Sequence, residues 1–168
     1  HKAVKAVRSE GRILLCEGYK DVLAFHACGI RYAVGLCGTA LTEEHIRAIR
    51  RLAGQVTLSL DPDPAGRQNT VRCAHMLLSE GCAVSLLPLP DGMDPDEVYR
   101  RKGSDELARL AREGTLDYLS YRIRQAASRP HTDTAAINGA LGEIGLLSSP
   151  LAVYRKIGEL SGATGIPI

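Results

Sequence analysis

Four short apolar runs, RILLC (12–16), YAVGL (32–36), VTLSL (56–60) and AVSLLP (83–88), alternate with helical patterns through the first half of the chain. Each run is too short for a core helix and is bounded by Gly, Asp or Pro, so each reads as a buried strand. Between them, YKDVLAFHACG places Val22, Leu23 and Phe25 with His26 on one face and stops at Gly29. TEEHIRAIRRLAG opens at Thr42, carries early acids and late arginines, and ends at Gly54. That charge order complements the helix dipole. A third helix is expected from Pro64 to Gly81. Strands and helices joined by short connections imply an α/β fold with a parallel sheet, about four-stranded, and right-handed crossovers. Ligands of such sheets bind beyond the carboxyl ends of the strands.

The second half reads as helical. Segments 104–113 and 115–127 are followed by a break at SRPHTD (128–133), then by helical patterns at 134–147 and 150–161. Gly139, Gly142 and Gly145 weaken the 134–147 segment by ~1 kcal/mol each relative to Ala, so it must rely on tertiary packing. A length of 168 residues suits one domain with a small appendage. With one Phe, six Tyr and no Trp, the core must be aliphatic, which also favours an α/β architecture.

Net charge is +2, so local distribution decides whether nucleic acid is bound. The clusters Arg47, Arg50 and Arg51, and Arg100, Arg101 and Lys102, read singly as solvated helix faces. Five cysteines without a C-x-x-C pair read as reduced, buried thiols and give neither a disulfide framework nor a zinc site. His26, His45 and His75 fall on separate helices and read as structural. The sequence has no signal-peptide pattern and no long apolar stretch, and the expectation is a soluble, intracellular protein. It begins at HKAVKAVRSEG without an initiator Met, as an excised fragment or processed chain would.

Three acidic features follow strands. In SLDPDPAG, Asp61 and Asp63 lie at i and i+2, which places both on one side of an extended backbone. Two such carboxylates repel unless a cation or hydrogen-bond donors stabilise them, and a hydrated Mg²⁺ shared with substrate phosphates does so. Asp63 before Pro64 is equally a good N-cap and N1 pair. Glu17 ends the first run beside Gly18, which admits close backbone approach. Asp91, Asp94 and Asp96 follow the fourth run, and Asp94 and Asp96 repeat the D-P-D spacing, with helix capping as the structural alternative. GLCGTALT (35–42), containing Gly38 and Thr39, offers N–H groups to an anion but lacks the Walker A lysine and G-x-G-x-x-G spacing.

Together these stretches form a resemblance. E-G-x-x-D after the first strand, then G-T-A-L-T, then D-x-D-x-A-G, is similar to the TOPRIM domain of topoisomerases and primases. ILLCEGYKDVLAFHACGI, AVGLCGTALTEEHI, DPDPAGRQNTVR and LPDGMDPDEVYRRKG resemble, in order and spacing, the bacterial DnaG-type DNA primases. LLSSPLAVYRKIGELSGATGI is similar to the helical end of that catalytic core. The resemblance implies a TOPRIM domain over 1–114 and a helical subdomain over 115–168. It implies Mg²⁺ or Mn²⁺, without zinc in this segment, and RNA primer synthesis on single-stranded DNA from nucleoside triphosphates. Glu17 matches the catalytic glutamate; Asp61 and Asp63 match the metal pair, with Asp94 and Asp96 the further acids. Gly18, Gly38 and Gly66 match places where backbone passes close to the site, and Thr39 lies beside them near the phosphates. Lys20 and Pro62 depart from the usual residues, but neither removes a carboxylate.

The family's zinc-binding module, the basic N-terminal half of its core and its helicase-binding tail lie outside this stretch. The isolated chain is therefore expected not to be fully active. Replicative helicase and single-strand binding protein are expected partners through those parts, with no membrane contact, a monomeric state and a cytoplasmic location at the replication fork. A TOPRIM nuclease and a non-catalytic module binding nucleic acid or protein are the alternative readings.

Overall fold

A computed structural model describes residues 2–129 and 133–167. In chain order the elements are α1 (Ala3–Glu10), β1 (Arg12–Cys16), α2 (Tyr19–Ala27), β2 (Ala33–Gly35), α3 (Glu43–Leu52), β3 (Gln55–Ser59), α4 (Pro64–Ser79) and β4 (Ala83–Leu86). A 3₁₀ turn at Pro90–Gly92 leads into α5 (Pro95–Lys102), α6 (Ser104–Glu113), β5 (Leu116–Asp117), α7 (Tyr118–Ala127), α8 (Thr134–Ile144) and α9 (Pro150–Thr164). All four expected strands form. Their near-continuous apolar character follows from burial on both faces, as in parallel sheets covered by helices.

The sheet order is β2-β1-β3-β4-β5. The first four strands are parallel, and β5 pairs antiparallel with β4. The sheet thus has one strand more than expected. Two residues are too few for any periodicity to register, so 115–127 reads as helix throughout from sequence. Register is what builds the site: Cys16 lies level with Gly35 on one side and Ser59 on the other, and Leu58 with Leu86. The loops after β1, β2, β3 and β4 therefore leave one edge of the sheet together. From β1 the chain passes first to β2 and later to β3 on the opposite side, and this reversal opens a crevice at the strand ends.

Helix termini follow local chemistry. Thr42 accepts the His45 N–H, Asp63 the Gly66 N–H and Asp94 the Glu97 N–H, with Pro64 and Pro95 opening their helices. Helix α1 has no counterpart in the sequence reading. On α2, Leu23 is 62% exposed, which corrects its expected core position; Asp21, Ala24 and Phe25 are the buried residues. The break over 128–133 lies between α7 and α8, with 130–132 outside the described residues.

One aliphatic core surrounds the sheet and includes Tyr118 and Leu119 at the start of α7. A second, of Ile123, Ala126, Ile137, Ala140, Ile144 and Leu160, lies between α7, α8 and α9. Glu143, 4% exposed, joins α8 to α7 and α4: it accepts from Tyr118 Oη at 3.1 Å and from Arg122 Nε at 3.0 Å, with His75 Nε2 at 3.1 Å. Three partners satisfy a carboxylate that burial would otherwise disfavour.

Candidate active site

Glu17 leaves β1 at the level where Asp61 leaves β3. Its Oε2 accepts the Asp61 backbone N–H at 3.2 Å, and its carbonyl accepts the Cys37 N–H at 2.8 Å. One residue thus gathers three loops. The loop 36–39 turns back through left-handed backbone at Cys37 (φ 53°) and Gly38 (φ 81°), and Thr39 Oγ1 donates to the Leu36 carbonyl at 2.6 Å. Gly38 suits this conformation, whereas Cys37 adopts it against its β-carbon. Gly66, in the first turn of α4, lies against Asp61: a β-carbon there would overlap the Asp61 carbonyl, standing 2.8 Å from its carbon. Helix α4 can approach the loop only because that atom is missing. Gly18 gives its N–H to Asp21 Oδ2 at 2.9 Å.

The electrostatics identify which acids meet. The half-buried Asp61 carboxyl is pushed up to about 6 by burial, then by the nearby carboxylates of Glu17, Asp21, Asp94 and Asp63. Four of the six acids singled out in the sequence thus share one negative hollow. Asp96 stands at its margin: its carboxylate pairs with Arg100 at 2.8 Å, although its charge is felt by Asp21. Asp63 and Asp94 serve as helix caps, the structural reading of both residues. Asp91 lies apart, in left-handed backbone (φ 57°), and pairs with Lys102 at 2.9 Å.

Asp21 is the residue the sequence reading passed over. It is 5% exposed, and burial pushes its carboxyl above the ordinary range, with further upward pressure from Asp94 and Asp96. It accepts the Gly18 N–H at 2.9 Å and faces the start of α5, where Asp94 and Asp96 lie. The signal was present as the last letter of E-G-x-x-D, but an acid in a first helical turn reads as dipole compensation.

The donors are all oxygens, which suits a hard cation such as Mg²⁺ or Mn²⁺. Among the described residues, no three His, Cys, Asp or Glu side chains form a ready-made cage. The fit is therefore to a hydrated ion that takes one or two carboxylates and completes its shell with water or phosphate. Beside Asp61 a cavity of about 320 Å³ is walled by Leu60, Val71 and Leu89, with Arg67, Tyr121 and Arg122 among its polar lining. His26 and His45 bond within the fold, to the Ala33 carbonyl and the Thr42 N–H. Of the five thiols, Cys16, Cys73 and Cys82 are buried, Cys28 is half-buried and Cys37 is exposed, which corrects the expectation of uniform burial.

Residues 14–99, about half of the chain, match the family described as Toprim-like. The DNA primase of Clostridium acetobutylicum is 37% identical over 158 residues, covering 92% of this chain and 26% of that protein. That of Staphylococcus aureus is 35% identical over 122 residues, covering 73% and 20%. The chain thus spans about a fifth to a quarter of the length of these curated relatives. Among solved structures, the zinc-binding and RNA polymerase domains of Aquifex aeolicus primase superpose with a TM-score of 0.83 at 28% identity, covering 99% of this chain and 40% of that one. A DnaG primase catalytic domain bound to ssDNA gives 0.77 at 27% identity, covering 95% and 54%. With fold, ordered motifs and relatives in agreement, this chain belongs to the Toprim-like family, and its relatives within that family are the DnaG-type primases.

Proposed function

We propose that this chain carries the nucleotidyl-transfer site of a DNA primase, which makes short RNA primers on single-stranded DNA. The observation that carries the reading is the meeting of Glu17 and Asp61 at the carboxyl edge of the sheet, where the Asp61 N–H donates to Glu17 Oε2 at 3.2 Å. Asp21, Asp63 and Asp94 lie near enough to raise the Asp61 carboxyl. A like-charged hollow of this kind is costly when empty and favourable once a cation enters. Hydrated Mg²⁺ or Mn²⁺ would be held by one or two carboxylates at a time among Asp61, Asp63 and Asp94, with Asp96 at its margin. When bound, it supplies positive charge against the triphosphate and lowers the pKa of the attacking hydroxyl.

The chain's own residues do the positioning. Glu17, fixed by the Asp61 N–H, either holds the cation or accepts the proton of the attacking hydroxyl. Gly18, Gly38 and Gly66 let backbone pass close to the phosphates, and Thr39 stands beside them. Single-stranded template and nucleoside triphosphates are the partners of this site. Helicase and single-strand binding protein engage the protein through parts beyond this chain, at the replication fork in the cytoplasm, and the chain acts as a monomer. Template grip depends on cationic phosphate contacts that this near-neutral segment does not concentrate, so the segment alone is not fully active.

The test is metal-dependent dinucleotide synthesis by the full-length protein carrying Asp61→Ala, with folding verified by circular dichroism. Loss of synthesis is expected. Undiminished synthesis in a folded variant rejects the assignment.

A further inference from the structure

We propose that Cys16 and Cys37 form a modification site, a thiol pair that closes into an intramolecular disulfide by exchange with a low-molecular-weight disulfide. Cys16 pairs with Gly35 across β1 and β2, and level residues of a parallel ladder point their side chains to the same face. Gly35 has no β-carbon, and Val22 Cγ2 stands 3.0 Å from the position one would take. Cys37, two residues on, has its Sγ 3.1 Å from that position. The Gly18 carbonyl oxygen lies 3.2 Å from that same position and 4.0 Å from Cys16 Sγ. Cys37 Sγ and the Gly18 carbonyl thus adjoin one position beside Gly35, and Cys16 Sγ lies near that carbonyl and donates to the Val34 carbonyl at 3.4 Å. Cys37 itself is in left-handed backbone.

The two thiols differ in access. Cys16 has no exposed surface, whereas Cys37 is exposed. A soluble oxidant therefore meets Cys37 first. With glutathione disulfide as oxidant, the Cys37 thiolate attacks one sulfur, the glutathione S–S bond breaks, and one glutathione thiolate leaves and takes up the proton that Cys37 released. Cys16 then loses its proton and attacks the Cys37 sulfur, and the second glutathione leaves as a thiol. Two protein thiols are oxidised and one glutathione disulfide is reduced to two thiols, so the electrons balance. The cross-link fastens the loop at Cys37 to the residue that precedes Glu17. It also draws on the segment whose Cys37 N–H holds the Glu17 carbonyl at 2.8 Å.

The experiment treats the 168-residue chain with glutathione disulfide, alkylates the remaining free thiols and maps the digest by mass spectrometry. The expected product is a peptide cross-linked between Cys16 and Cys37 that dithiothreitol reopens. Cys16→Val, which keeps an apolar side chain in the core, should stop at a glutathione adduct on Cys37. Cys37→Ser, a substitution at an exposed position, should leave Cys16 unmodified. A persistent glutathione adduct on Cys37 in the unmutated chain overturns the proposal. So does a cross-link to the half-buried Cys28, or the absence of any modification.

Discussion

The Asp61 backbone N–H donates to Glu17 Oε2 at 3.2 Å, so the acid that ends β1 is held by the main chain that ends β3. The two residues are 44 positions apart. The bond exists because the two strands run parallel in a register that sets Cys16 beside Ser59.

Glu17→Ala should leave that half-buried N–H without its partner. A lost hydrogen bond of this kind costs about 1 kcal/mol. The substitution is expected to lower the urea midpoint modestly and to weaken Mn²⁺ binding at least ~10-fold if the acid helps to form the cation site. Calorimetric titration beside urea unfolding separates the two effects. Unchanged Mn²⁺ binding would exclude Glu17 as a ligand and leave it the proton-accepting role.

Gly66→Ala forces a β-carbon into the Asp61 main chain, 2.8 Å from its carbonyl carbon, where no flexible side chain can yield. Overpacking against backbone is expected to cost about 3 kcal/mol or more. The relevant measurement is the denaturation midpoint. A variant as stable as the original would show that α4 is not pressed onto the loop.

Asp61→Asn carries a pH signature. The folded carboxyl titrates at about 6, above the ordinary 3.8. Below pH 4 both states hold the proton and the group contributes nothing. Between 4 and 6 the folded state keeps a proton that the unfolded state has released, so stability falls as pH rises through that window. In metal-free buffer, Asn should therefore match Asp at pH 4 and exceed it at pH 7.5, by about 1 kcal/mol after allowance for solvent screening. Urea curves at the two pH values decide this, and a pH-independent difference counts against the crowded-carboxylate account.

Glu143→Ala leaves the Arg122 charge and the Tyr118 hydroxyl without their shared partner. Breaking a buried pair costs about 3–5 kcal/mol. His75→Ala removes only the more exposed third contact and should cost under about 1 kcal/mol. Equal losses for the two variants would mean that the network is not centred on Glu143.

The strands at 12–16 and 83–86, the caps at Thr42, Asp63 and Asp94, and the acids following three strands were all legible in the sequence. Each depends on neighbours within a few residues or on a repeating apolar pattern. Strand β5 was not legible because its evidence is a partner strand and not a pattern. Leu23 carries an apolar side chain that belongs to the helical stripe by spacing, yet the buried residues of α2 are Asp21, Ala24 and Phe25.

The sequence by itself determined the alternation of strands and helices, where most helices begin, and which acids stand after strands. Only the tertiary structure decided that Glu17, Asp21, Asp61, Asp63 and Asp94 share a field while Asp96 turns to Arg100. Local conformation is set by short-range sterics and hydrogen bonds, which neighbouring residues encode. The spacing between loops is set by strand register and helix packing across tens of residues, and Coulomb energy depends on that spacing and on how far burial removes the charges from water.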